Sequence, residues 1–221
     1  MIPLRDEDPL RSFPAWTVGL VLINVLVFLH EVRLPASEVK QLVESYGAVP
    51  FEISHFARPQ GKPPIPPLLT LITSQYLHGS WLHLAGNILY LWTFGRRVED
   101  AMGWIRFPIF YTLAGVTAGI TQTVMMPDSR VPLIGASGAI AGLLGGYLVR
   151  FPLARLRILV PFWLFFRVIR LPAMVFLLLW FLLQLYSSQR QDGIAWWAHI
   201  GGFLTGILAS WWFFRKKAKN A

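Results

Sequence analysis

Ser137 and His199 are the residue types that together can do covalent chemistry: a hydroxyl that attacks and an imidazole that takes its proton. Ser137 stands in Gly135-Ala136-Ser137-Gly138-Ala139. A serine at a helix N-terminus has unsatisfied backbone N–H groups nearby, which suit a developing oxyanion. It reads equally well as a cap beside packing glycines. The pattern is not the soluble hydrolase elbow G-x-S-x-G, and no strand is expected before it. His199 opens Ala198-His199-Ile200-Gly201-Gly202-Phe203-Leu204-Thr205-Gly206, where Ala198, Gly202, Gly206 and Ser210 recur every four residues. Such a seam of small residues lets another helix approach closely. A third fragment, His83-Leu84-Ala85-Gly86-Asn87, puts two donors on one helix face. They serve either one spot or interhelical hydrogen bonding. His78, about 140° round the same helix from His83, is the weaker candidate.

The elements that must position these groups read as membrane helices. Hydrophobic residues make up 55% of the 221 residues and charged ones 14%, against roughly 25% charged in soluble domains. Six stretches lack Asp, Glu, Lys and Arg: Ala15–Leu29, Leu68–Phe94, Phe107–Met126, Leu133–Val149, Leu171–Tyr186 and Ile194–Phe214. A membrane-spanning helix needs about 20 apolar residues, with about 17 sufficient. Backbone groups in lipid must be bonded internally, so helices are the default, and a membrane barrel's alternation is absent. The expected fold is therefore an all-α membrane protein: segment 1–14, a six-span domain over 15–214 and a basic tail at 215–221. Segments 1–15, 95–106, 150–170 and 215–221 hold fourteen of the twenty Lys and Arg residues, which predicts cytoplasmic termini. The formal charge of +9 is then a topology signal and a lipid-headgroup contact rather than a sign of nucleic acid.

Depth draws the polar groups together. Ser137 lies seven residues beyond Arg130, and His199 seven beyond Asp192, so each sits about 10 Å below the outer face. His83, thirteen residues before Arg96, comes to about the same level in a core of roughly 30 Å. Intramembrane ionisable groups are functional candidates by default. The longest outer loop, about 35–67, holds a helical pattern over Ala36–Tyr46, fit to lie along the interface, and then Pro59, Pro63, Pro64, Pro66 and Pro67, which forbid regular helix. The basic and apolar segment Arg150 to Arg170 is expected to rest on the cytoplasmic surface. Pro3 to Pro14 is polar, and no signal peptide is expected there. With no cysteine in the chain, thiolate chemistry and disulfides are excluded.

Taken together, His83-x-x-x-Asn87, Gly135-x-Ser137-Gly138 and Ala198-His199-x-x-Gly202-x-x-x-Gly206 resemble the rhomboid family of intramembrane serine proteases. The resemblance covers about Leu68 to Phe214. Val98-Glu99-Asp100 and the run Gly193 to His199, with Trp196 and Trp197, look like bacterial members. The Trp-Arg pair that some members carry in the first outer loop is missing between Arg33 and Leu68. The resemblance implies a six-helix bundle, Ser137 as nucleophile, His199 as general base and then acid, and His83, Asn87 and the Ser137 N–H around the oxyanion, with Gly135 and Gly138 beside them. It implies a transmembrane protein substrate that enters beside Phe176 to Phe181, with the loop near Asp192 as a lid. No cofactor and no metal are expected. Since no carboxylate lies in any apolar stretch, a dyad is the form left. A second expectation is an inactive rhomboid-like protein that binds membrane clients. A transporter would need buried carboxylates or lysines and internal repeats, and a metalloprotease H-E-x-x-H. No carboxylate or lysine lies in the apolar stretches, and the chain shows no internal repeat and no H-E-x-x-H. Its sequence carries no signal for oligomeric state.

Overall fold

The computed structural model describes residues 2–7, 9–57, 61, 65–162, 165–190 and 193–214. Most of them are helical. After α1 (Ala15–Glu31) come α2 (Ala36–Tyr46) and α3 (Pro50–Ser54), then a broken run of α4 (Thr70–Thr73), α5 (Trp81–Tyr90), a wide π turn over Leu91–Gly95 and α6 (Arg96–Met102). Four longer helices follow: α7 (Arg106–Met125), α8 (Ser137–Arg150), α9 (Ala173–Ser187) and α10 (Trp196–Phe213). Among the described residues no helix is long and apolar enough to cross a membrane. The six expected spans are therefore not six long apolar rods. α8 has 14 residues, about 21 Å at 1.5 Å per residue, while α7 begins at Arg106 and carries Gln122 and Thr123 inside.

Leu68–Phe94 does not form a single rod either. Leu77 and Ser80 are extended, and the Ser80 side chain caps α5 by accepting the His83 N–H. His78 therefore lies before the helix and not on its face. The tail 215–221, Asp192, Pro59, Pro63 and Pro64 lie outside the described residues.

The all-α expectation is corrected by a three-stranded antiparallel sheet of order β1-β2-β3, with β1 Ile2–Asp6, β2 Arg155–Phe162 and β3 Phe165–Pro172. The basic segment after α8 is thus a hairpin that takes the N-terminal residues as its third strand. Its alternation explains why. Leu156 and Ile158 are fully buried on one face, as period-two patterning requires. On the other face Arg157 stands opposite Arg170, a like-charge pair that opposes strand pairing. Glu7 relieves it: its Oε1 accepts from Arg157 Nε at 2.6 Å and from Arg170 Nε at 3.0 Å. Tyr147 donates to Asp6 at 2.7 Å and ties the sheet to α8.

α8 is the central rod, with Ala139, Leu143, Leu144 and Tyr147 fully buried. A Cβ on Gly202 would strike the Gly138 carbonyl oxygen, and one on Gly206 the Gly142 carbonyl oxygen. α8 and α10 therefore pack backbone to backbone, as small-residue seams allow. Phe94 meets Tyr147 edge to face at 5.0 Å and stacks on Phe176 at 6.2 Å, joining α8 and α9 to the π turn. At the sheet end the buried Glu99 carboxylate accepts from Trp16 N, Thr17 N and Thr17 Oγ1 and fixes the start of α1. The long helices alternate in direction. The starts of α5, α8 and α10 and the ends of α1, α7 and α9 thereby gather at the opposite end.

Candidate active site

Local backbone chemistry sets where α8 begins. Ala48 and Leu133 exchange N–H···O bonds of 3.0 and 2.8 Å, and the Gly135 N–H donates to the Ser74 carbonyl at 2.8 Å. Gly135 has φ +107°, a left-handed conformation that side chains disfavour. The chain turns there, and Ser137 becomes the first residue of the helix. Ile140 is the first N–H to bond back, to Ala136 at 3.0 Å. The N–H groups of Ser137, Gly138 and Ala139 thus have no partner within the helix.

His199 stands on the first turn of α10. That turn is fixed by Gln122 of α7, whose Oε1 accepts the Ala198 N–H at 3.1 Å. The backbone seam below then brings the two side chains together, with Ser137 Oγ 2.9 Å from His199 Nε2. The other ring nitrogen, Nδ1, is 2.9 Å from Gln184 Oε1 of α9. Indoles flank the imidazole on two sides, Trp180 at 6.2 Å and Trp196 edge-on at 5.9 Å between ring centroids.

α5 brings the third group. The side of Gly135 where a Cβ would stand is taken by the His83 ring: such a Cβ would lie 2.6 Å from His83 Nε2 and 3.4 Å from Asn87 Nδ2. Glycine is required twice over, by its torsion and by this contact. Asn87 is buried and its Nδ2 lies 2.9 Å from His78 Nε2. His78 Nδ1 faces the Tyr76 carbonyl at 3.3 Å. A carbonyl only accepts, so the Nδ1 proton belongs there and Nε2 accepts from the Asn87 amide. The His78 backbone N–H donates to the Glu31 carboxylate at 3.2 Å. Glu31 is buried at the end of α1, so a carboxylate does approach the site, behind His78 and not behind His199.

Ser137, His199, His83, Asn87 and Gly135 therefore lie together at this end of the bundle. Gly138 lies in the same turn, but its Cα faces Ala118 of α7, so a close helix contact is what requires glycine there. A cavity of about 1470 Å³ is lined by His83, Asn87, Ser137, Gln184 and His199 and bounded by the loop 126–134. Gln122 and Gln184 are not ionisable and so are absent from the expected site, while His78, the weaker candidate of the sequence, stands behind Asn87. The two glutamines are nonetheless visible as lone amides in apolar stretches.

A family model described as the Rhomboid domain matches residues 67–216. The chain is similar to the Rhomboid protease GluP of Bacillus subtilis (strain 168), 37% identical over 136 residues, which cover 61% of this chain and 24% of that protein. It is also similar to RHOMBOID-like protein 5 of Arabidopsis thaliana, 32% identical over 139 residues, 62% of this chain and 41% of the relative. Inactive rhomboid protein 1 of Danio rerio is 26% identical over 188 residues, 84% of this chain and 19% of that one. The chain thus matches about two fifths or less of the length of these curated relatives.

Proposed function

The chain belongs to the rhomboid family, its matched domain taking in residues 67–216, and from that membership we propose that it is an intramembrane serine endopeptidase. The substrate class is a membrane protein cut in or near a transmembrane segment. The observation that carries this reading is the 2.9 Å contact of Ser137 Oγ with His199 Nε2 beside the cavity.

In this reading Ser137 Oγ attacks the scissile carbonyl while His199 Nε2 takes the hydroxyl proton. The tetrahedral oxyanion forms at the start of α8, where the Ser137 N–H, His83 and the second amide proton of Asn87 are at hand. His199 then gives its proton to the leaving amine, and an acyl ester on Ser137 remains. Water from the cavity, deprotonated by His199, releases the carboxylate product and restores the hydroxyl. The cavity is lined by Leu82 and Gly86 of α5 and by Leu179 and Leu183 of α9, which suits lateral entry of a substrate helix between them. The bundle lies in a bacterial cell membrane with six crossings, both termini cytoplasmic and the cavity opening outward. The described parts of the basic segments 1–15, 95–106 and 150–170 gather at the sheet end, away from the cavity, which supports that orientation.

Client binding without cleavage is the second reading, prompted by the inactive relatives, whose match extends over 84% of this chain. The paired Ser137 and His199 favour cleavage. Fluorophosphonate labelling with peptide mapping decides between them: labelled Ser137, lost in Ser137→Ala and in His199→Ala, is the expected result. An unlabelled protein that still binds membrane clients would establish the second reading.

A further inference from the structure

Gln184 is a polar residue in the apolar helix α9, buried to 3% exposure. Burying an amide is unfavourable unless its hydrogen bonds are made, and both its ends are engaged. Its Nε2 donates to the Trp180 carbonyl at 3.1 Å, one turn back on its own helix. A carbonyl has no proton to give, so that bond settles which end of the amide is nitrogen. Oε1 is left facing His199 Nδ1 at 2.9 Å.

We propose that Gln184 is a positioning residue that holds His199 in the tautomer with its proton on Nδ1, so that the working unit is Ser137–His199–Gln184 rather than a pair. This rests on the reading of Ser137 and His199 given above. A neutral imidazole has two tautomers, and only the one with a bare Nε2 accepts the serine proton. In the other, Nε2 carries hydrogen and donates to Ser137 Oγ, which stops the attack. The amide oxygen favours the useful form. As Nε2 takes the serine proton, the Nδ1–H···Oε1 bond becomes charge-assisted and strengthens without transferring its own proton. Trp180 and Trp196 flank the ring and oppose the rotation that would exchange the two nitrogens.

The test compares Gln184→Leu and Gln184→Glu with the unmodified protein on a transmembrane peptide substrate in liposomes. Gln184→Leu removes the acceptor, and its kcat is expected to fall about tenfold or more with KM little changed, because wrong-tautomer variants of serine hydrolases lose turnover. Gln184→Glu restores an acceptor and is expected to recover most of that loss. Unchanged kcat in Gln184→Leu, or a change confined to KM, overturns the inference. Nitrogen-15 NMR of the unmodified protein reads the His199 tautomer directly and covers the case of a variant that does not fold: a protonated Nε2 overturns it. Fluorophosphonate labelling separates the two proposals. No labelling of the unmodified protein removes both, whereas an undiminished labelling rate in Gln184→Leu removes this one alone.

Discussion

Gly202 of α10 lies over the Gly138 carbonyl oxygen of α8, with no room for a methyl group between them. One turn on, Gly206 stands the same way over the Gly142 carbonyl. Ser137 is the neighbour of Gly138, and His199 lies three residues before Gly202, so the 2.9 Å contact of the two side chains is set by helix separation. Overpacking a close contact costs about 1–3 kcal/mol. Gly202→Ala and Gly206→Ala should each lower thermal stability by an amount of that order. Labelling of Ser137 should fall further in Gly202→Ala, where the wedge is nearer the pair. Equal labelling rates in the two variants would mean that the seam does not set the Ser137–His199 distance.

Gly135→Ala should separate activity from folding in a different way. The torsion of +107° costs a non-glycine residue about 1–3 kcal/mol, and the new methyl would also press on His83 Nε2 at 2.6 Å. Moving His83 removes one side of the proposed oxyanion site. Turnover should therefore drop more than the stability loss explains, when kcat is set beside the melting temperature. A variant as unstable as expected but with unaltered kcat would take His83 out of the reaction.

How far the site was legible follows from what lipid-like surroundings make conspicuous. Ser137, His83 and His199 stand out because a hydroxyl and two imidazoles interrupt charge-free runs, and helical rise puts them at one depth. Gln184 and Gln122 are uncharged, so a search by ionisation passes over them, although each holds part of the site in place. His78 is misplaced by helix-phase arithmetic, since Leu77 and Ser80 are extended and the chain folds His78 back onto Asn87. The sheet was hidden for another reason. Arg155-Leu156-Arg157-Ile158 alternates visibly and its hairpin partner β3 follows close behind, but its other partner, β1, lies about 150 residues away in sequence, and periodicity carries no information on so distant a pairing.

Asn87 and His78 form a chain in which only the first member faces the cavity. Asn87→Ala should lower kcat by about a hundredfold, the usual order for loss of one oxyanion donor, with a small change in KM. His78→Ala leaves the donor in place but frees its amide to turn, because the bond from Nδ2 to His78 Nε2 is lost. Its kcat should fall less, and the double variant should be no slower than Asn87→Ala alone. Steady-state kinetics of the three proteins check this. Additive losses would show that His78 acts on the substrate by a route of its own.

The N-terminal strand supplies a pH-dependent contribution at the end of the molecule away from the site. The hydrogen bond from Arg157 holds the Glu7 carboxyl below its usual 4.5, with burial opposing it and the charge of Arg170 adding to it. A group whose folded value lies below its unfolded one stabilises the fold fully above the unfolded value, and that contribution is lost as pH falls through the folded value. Glu7→Gln removes the charge and leaves Arg157 facing Arg170 across the strands, which opposes pairing. The melting temperature of Glu7→Gln should therefore lie below that of the unmodified protein at neutral pH, and the gap should close below pH 4.5. Added salt should narrow it too, because exposed ion pairs are screened. Ser137 labelling should be the same in both proteins at neutral pH. A gap that persisted unchanged into acid would assign the effect of Glu7 to packing and not to its charge.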